Sequence, residues 1–434
     1  MEKNKFAEEL IDFIYESPTA FHATETVKKM LVGNGFLEIF EGDKWNLVEG
    51  GRYFFIKNNS ALMAFVVGTG DLGQEGFRII GAHTDSPSFR IKPSPELNAE
   101  GTYIRLNTEV YGGPIINTWL DRPLALAGRV TLKSDNLMKP RVSLVNINRP
   151  ILIIPNLAIH MNRNVNKGVE LNKQKETLPL LTLVNEKFEK EDLLVKLVAD
   201  ELKVAPSDIL DFELFLYEYE KGTIMGLNKE LISSSRLDDL SMVHAGIVAL
   251  INSKTNKATK VMACFDNEEI GSKTKQGAGS PILASTLERI ALSLGKERED
   301  YFRTLSNSFL ISADLAHAVH PNYGEKADPV NRPTINKGPV IKLSANQKYT
   351  SDSFSVAVYE SICKAAGIPV QKFVNRSDEV GGSTIGPISS GYINIDSVDM
   401  GSPILAMHSI RELAGVEDHS LTEKSFEAFY NYNY

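Results

Sequence analysis

The chain has 434 residues and 47 lysines and arginines against 55 aspartates and glutamates, a formal charge of -8 spread without long blocks of one sign. That length exceeds one small core and leads us to expect two domains, and the scattered acidic balance argues against a nucleic-acid partner. Apolar runs such as Pro150–Pro155 and Phe309–Ala313 are far short of a bilayer span, and only Cys264 and Cys363 are thiols, so we expect a soluble cytoplasmic protein with no membrane partner, no disulfide framework and no thiolate zinc site.

In chain order, Phe6, Leu10, Ile11, Phe13 and Ile14 share one helical face, and Ser17-Pro18 ends that helix. A second helix is predicted over His22–Leu31, followed by strands at Arg52–Ile56, Ala61–Val67 and Phe77–Ala82. The last strand delivers His83, with Asp85 two residues on. An imidazole at a strand end with a carboxylate to accept its other N–H suits a metal ligand and its orienter, and it equally suits two side chains bonded to each other in a tight loop. From Ile91 to about Leu231 short β-like pieces dominate, at Tyr103–Asn107, Leu126–Leu132, Arg141–Asn146 and Phe212–Glu220, with helical periodicity only near Glu191–Lys203. This predicts a β-rich domain at 92–231 inserted into a catalytic domain at 1–91 and 232–434, joined through polar linkers at Lys92–Gly101 and Gly226–Ser235. Inside it, His160 follows the apolar run Leu157–Ile159 and reads as a structural histidine.

Ser234–Leu240 leads into a predicted helix over Ser241–Ile251, and its acidic Asp238 and Asp239 suit either a helix cap with first-turn charge or a face turned to a ligand. Ala258–Ala263 reads as a buried strand, and Cys264–Ser272 then places Glu268 and Glu269 side by side at its end. In an open α/β sheet the carboxyl ends of strands are where ligands bind. Next come a helix over Ser280–Leu294 and a strand over Phe309–Ala313 that ends at Asp314; His317 and His320, three apart, suit a ligand pair, but Pro321 and the irregular setting favour loop residues or groups that support a ligand. The pattern closes with a strand at Val340–Leu343, a helix at Ser353–Ala366, a turn at Gly381–Gly386, a strand at Ile393–Val398 and the run Pro403–Met407, after which comes His408.

His83, Asp238, Glu268, Glu269, Asp314 and His408 are thus the strand-end and helix-start candidates. Neutral imidazole nitrogen and carboxylate oxygen both bind Zn²⁺ well, so this set suits a pair of zinc ions. Two cations roughly 3.5–4 Å apart need a bridging carboxylate to screen their repulsion. A carboxylate left off the metal can take the proton of an attacking water and pass it to a leaving amine. The Glu268-Glu269 doublet offers that division of labour.

At these residues the chain resembles the aspartyl aminopeptidase family, co-catalytic metallopeptidases that remove an amino-terminal residue from peptides. The resemblance runs through Ser17–His22, Gly81–Pro87, Tyr111-Gly112-Gly113, Asn162–Asn166, Arg236-Leu237-Asp238, Asp266–Ser272, Ser312–Tyr323, Thr384–Pro387 and Met407–Glu412. It implies an α/β/α sandwich with a mixed sheet, interrupted by the inserted β-rich domain as a dimerisation domain. It also implies two zinc ions per subunit, with Co²⁺ or Mn²⁺ as substitutes. Asp238 would bridge, His83 and Asp314 would complete one site, and Glu269 and His408 the other. By the same likeness Glu268 would be the general base, Asp85 would orient His83, and Lys342 and Tyr349 would lie near the substrate. His160 would reach into a neighbouring subunit's active site, against the structural reading above, within a homo-oligomer of dimers assembled into a dodecamer. Asn375–Gly382 departs from the acid-specific pattern and its Glu379 adds negative charge, which leaves the preferred residue open between acidic and neutral. The rival readings are an amidohydrolase acting on N-acyl amino acids and a non-catalytic oligomeric shell.

Overall fold

The structure is a computed structural model that describes residues 2–168, 170–184 and 192–433. Its chain forms two compact units: Met1–Asp85 with Gly222–Met407 and Glu412–Tyr434, and Ser86–Lys221 with His408–Arg411.

The first unit is built on a nine-stranded mixed sheet. Its four middle strands, in the order Thr259–Phe265, Phe77–His83, Phe309–Ala313 and Asp396–Gly401, run parallel to one another. All residues of Thr259–Phe265, Phe77–His83 and Phe309–Ala313 are buried, as expected of strands covered on both faces. Alternate residues go to opposite cores because strand side chains have a period of two. Ile80, Ala82, Met262, Cys264, Ile311 and Ala313 pack with the helices Glu2–Tyr15, Ala20–Gly33, Leu237–Asn252 and Val416–Asn431. Phe77, Ile79, Val261, Phe265 and Leu310 pack on the other side with Ile282–Ser293 and Arg298–Ser306. The architecture is therefore the expected α/β/α sandwich. Register sets Phe265 beside His83 and Ser312 beside Gly81, so the ends of adjacent strands come level at one edge. A second sheet of this unit contains Leu231–Ser234, which pairs antiparallel with Glu412–Gly415 and leads into the helix Leu237–Asn252.

The second unit is a six-stranded sheet in which every pairing is antiparallel, with strands at Ser88–Ala99, Tyr103–Tyr111, Leu124–Leu132, Arg141–Leu152, Leu180–Leu183 and Ile209–Glu218. Phe89, Leu106, Leu126, Val130, Leu214 and Leu216 form its core with Leu194 and Val198 of the helix Leu193–Leu202. The expected helix began at Glu191, which lies outside the described residues.

Two expected linkers are corrected. Lys92–Gly101 is mostly the strand Ser88–Ala99, paired with Tyr103–Tyr111; it reads as polar because its sequence carries Lys92, Glu96 and Asn98 among apolar residues. Gly226–Ser235 contains the strand Leu231–Ser234. The units accordingly change over at residues 85/86 and 221/222, against the expected 91/92 and 231/232.

Candidate metal centre

His83 is the last residue of its strand and is 1% exposed. Its Nδ1 faces Asp85, at 3.1 Å from the backbone carbonyl and 3.4 Å from Oδ1, while Nε2 stands 3.4 Å from Asp238 Oδ1. One ring nitrogen is thus occupied by the residue that the sequence paired with it, and the other is turned to the acidic cluster. The Asp85 carboxylate does more than face the ring. It accepts the backbone N–H groups of Glu268 at 3.1 Å and Glu269 at 3.2 Å, and so ties the end of the next strand to His83.

Glu268 and Glu269 sit in a short 3₁₀ turn, Glu268–Ile270. Asn267 enters it in the left-handed region at φ 64°, which asparagine tolerates better than most residues, and Gly271 leaves it at φ 96°. Asp314 follows directly on Phe309–Ala313 and is buried. Lys342 Nζ lies 3.5 Å from Asp314 Oδ2, donates to the Leu315 carbonyl at 3.0 Å and is 5.3 Å from the centre of the Tyr349 ring.

Asp238 and Asp239 do not cap their helix. Their backbone angles are not helical, the peptide between them is cis, and Arg236 holds the N-cap position with no side-chain cap bond. The Asp238 N–H is held by Glu412 Oε2 at 3.0 Å. Sequence reasoning missed Asp239. It is fully buried, its Oδ2 accepts the His83 N–H at 3.0 Å, and its Oδ1 has no hydrogen-bond partner among the described residues. The signal was present in the acidic doublet but was spent on Asp238.

His83, Asp238, Asp239 and Asp314 bring donor atoms within 4.8 Å of one another, as do His83, Glu268 and Glu269. Burial raises the pKa of Glu268 to about 8, with like charges on Asp314, Asp85 and Asp238 adding to it against the pull of His83. Burial likewise drives Glu269 and Asp239 well up and raises Asp314. Burial works against a charge on His83, but Asp239 and the bonds to Asp238 and Asp85 outweigh it and hold the ring well above its ordinary value. Buried like charges of this kind need protons or cations as company. An all-nitrogen-and-oxygen donor set with an unpartnered buried carboxylate oxygen fits a divalent metal such as zinc.

His408 belongs to the second unit, although strands of the first, Pro403–Leu405 and Glu412–Gly415, flank it in the chain. Four contacts hold that stretch: His408 Nδ1 lies 3.1 Å from the Gly113 carbonyl, the Ile115 N–H donates to the His408 carbonyl at 2.9 Å, the Ile410 N–H to Thr118 Oγ1 at 3.0 Å, and Arg411 Nε to Glu218 Oε1 at 3.2 Å. His160 is exposed, in a stretch where Leu157, Ile159 and Met161 are exposed too; it is not the packed histidine that its apolar neighbours suggest. Glu379 is ion-paired with Lys326 at 2.8 Å, which offsets the charge that the sequence set against an acidic substrate. Among the described residues no helix is long and apolar enough to cross a membrane.

Residues 13–430 match the family model described as aminopeptidase I zinc metalloprotease (M18). The chain is 63% identical over 429 residues to a probable M18 family aminopeptidase 2 of Clostridium novyi, covering 99% of both chains. Its fold is similar to that in the cryo-EM structure of the Ape4 and Nbr1 complex, with a TM-score of 0.95, 37% identity and coverage of 99% of this chain and 86% of that one. It is also similar to the mApe1 dodecamer of S. cerevisiae, with a TM-score of 0.86, 29% identity and coverage of 99% and 97%. A family match over nearly the whole length, on a chain whose strand ends gather buried imidazole and carboxylates, makes this protein a member of the M18 aminopeptidases, the aspartyl aminopeptidase family, and a metal-dependent aminopeptidase.

Proposed function

We propose that each subunit holds two zinc ions, with Co²⁺ or Mn²⁺ as workable substitutes, and removes the amino-terminal acidic or neutral residue of peptides. Asp238 would be shared between the two ions, His83 and Asp314 would hold one of them, and Glu269 and His408 would hold the other. The observation that carries this reading is the convergence of buried His83, Asp238, Asp239 and Asp314 with half-buried Glu268 and Glu269. Asp239, with one oxygen on the His83 N–H, belongs with this set as a further donor or a neighbouring acceptor. For His408 the supporting feature is its Nδ1 contact with the Gly113 carbonyl, which directs ligation to Nε2.

When bound, zinc supplies Lewis acidity toward the scissile carbonyl and lowers the pKa of water. The chain's own groups do the rest. Glu268, whose burial and acidic neighbours raise its proton affinity, takes the proton of the attacking water and delivers it to the leaving amine nitrogen. Asp85 holds the backbone of the Glu268-Glu269 turn and the His83 ring in one geometry. Lys342 and Tyr349 receive the amino-terminal residue.

His160 is assigned to catalysis in a neighbouring subunit of a homo-oligomer built from dimers, as a dodecamer. The 92–231 region supplies the dimer contact. What supports this is an imidazole exposed together with Leu157, Ile159 and Met161, an apolar stretch that a partner would cover. A cytoplasmic location is consistent with Cys264 and Cys363 being buried free thiols.

The test is Glu268→Gln in the zinc-loaded enzyme. It should keep its metal and lose kcat by at least about a hundredfold. Unchanged kcat would remove Glu268 from the role of base.

A further inference from the structure

Away from the acidic cluster at the strand ends, a buried polar knot in the first unit is centred on Asp399, in the strand Asp396–Gly401. Its side chain is fully buried and accepts four hydrogen bonds. Ser312 Oγ and Thr384 Oγ1 both donate to Oδ1 at 2.6 Å, and Thr350 donates to Oδ2 twice, from its N–H at 2.6 Å and from its Oγ1 at 2.8 Å. The main chain of the same residue is held as well, since the Asp399 N–H donates to Ser351 Oγ at 2.9 Å. A Cβ on Gly386 would stand 2.6 Å from Asp399 Oδ2 and 2.9 Å from Ser312 Oγ, so the backbone there approaches the carboxylate as only glycine allows.

These bonds tie together segments that are distant in the chain. Ser312 lies two residues before Asp314. Thr350 follows Tyr349, a buried ring whose centre lies 5.3 Å from the Lys342 ammonium. Thr384 ends the stretch that starts at Asn375 and is the N-cap of the short helix Ile385–Ser389. Asn375 in turn lines a pocket with Phe373, Arg376 and His317. One carboxylate thus fastens the residue after Tyr349 and the far end of the stretch from Asn375 to Thr384 onto the strand that leads into Asp314.

We propose that Asp399 is a positioning residue for substrate selection: it sets the wall around the amino-terminal side chain of the substrate by clasping the Tyr349–Thr350 and Thr384 segments onto the end of the Phe309–Ala313 strand. It touches neither substrate nor metal. The inference rests on the assignment of Lys342 and Tyr349 to the substrate.

Asp399→Asn separates this role from a merely structural one. The amide can keep the Thr350 N–H only by turning its oxygen there, so its NH₂ faces the Ser312 and Thr384 hydroxyls, which must turn from donors to acceptors and lose their charge-assisted bonds, loosening the Thr384 side of the clasp. In the zinc-loaded full chain, kinetics on peptides that begin with Asp, Glu, Leu and Lys should show KM rising on the order of tenfold. The preference among the four should change, with kcat per bound metal pair falling less than KM rises. Loss by one common factor for all four peptides, or unchanged kinetics with only a lower melting temperature, would overturn the proposal. Should Asp399→Asn not fold, Thr350 decides. Thr350→Val removes only the Oγ1 bond and should shift the preference the same way, and Thr350→Ser should restore it. A folded Thr350→Val with wild-type preference would also overturn it. A wild-type chain that cleaves none of the peptides refutes the proposed function itself, and this inference with it.

Discussion

Stripping the metal is expected to make the protein lose stability as pH rises, which is opposite to the usual behaviour of paired surface carboxylates. In the metal-free cluster Glu268 is pushed from 4.5 up to about 8, first by burial and then by its acidic neighbours. A carboxyl whose folded pKa lies above its unfolded value keeps its proton longest in the folded state. Its stabilising effect is complete below the unfolded pKa and is lost as pH climbs through the folded one. Across that window the change is about 5 kcal/mol at ~1.4 kcal/mol per pH unit. Asp239, Glu269 and Asp314 are raised by burial as well, and because these groups repel one another their contributions overlap, so we take about 5 kcal/mol as the scale for the cluster. With the unfolding entropy expected of a chain this long, that is a fall of about 5 °C in melting temperature. Bound zinc takes the place of the protons and abolishes the effect. Thermal unfolding of chelated and zinc-loaded protein between pH 5 and 9 should give curves that converge near pH 5, where protons displace the metal, and separate above pH 6. Parallel curves over the whole range would refute the reasoning, because they would mean that the buried acids are not what holds the metal.

Two further outcomes are expected. His160→Ala should lose turnover while binding metal normally, and mixing it during reassembly with an inactive Glu268→Gln chain should restore some activity; no recovery in mixed oligomers, with both parents folded, would confine His160 to its own subunit. Peptides with a free α-amine should be cleaved faster than the same peptides with the amine acylated, and the reverse order would favour the N-acyl amidohydrolase reading.

The strand-end residues were legible because each ends a continuous apolar run. His83 and Asp314 close strands that are buried on both faces, and the Glu268-Glu269 turn follows a third, so hydrophobic pattern alone put them at one kind of place. It did not say that these strands are neighbours and level in register, which is a property of long-range pairing. Asp239 was lost to a local rule: acidic residues before a helix look like a cap, but the backbone at Asp238 and Asp239 is not helical. Lys92–Gly101 reads as a linker because of its polar residues, yet antiparallel strands carry polar residues wherever a face meets water. His160 misled in the other direction, since Leu157, Ile159 and Met161 are exposed here instead of packed, which only a surface can reveal. The Asp399 knot joins residues 312, 350, 384 and 399 and has no signature in any window of sequence.

The most direct test is the zinc content of the purified chain after saturation and desalting, measured alongside turnover for the wild type and for Asp238→Ala. Two ions per wild-type chain are expected, with full turnover only when both are present, and Asp238→Ala should hold neither ion firmly and be inactive. Full turnover at one ion per chain, or two ions retained without Asp238, would contradict a bridged pair.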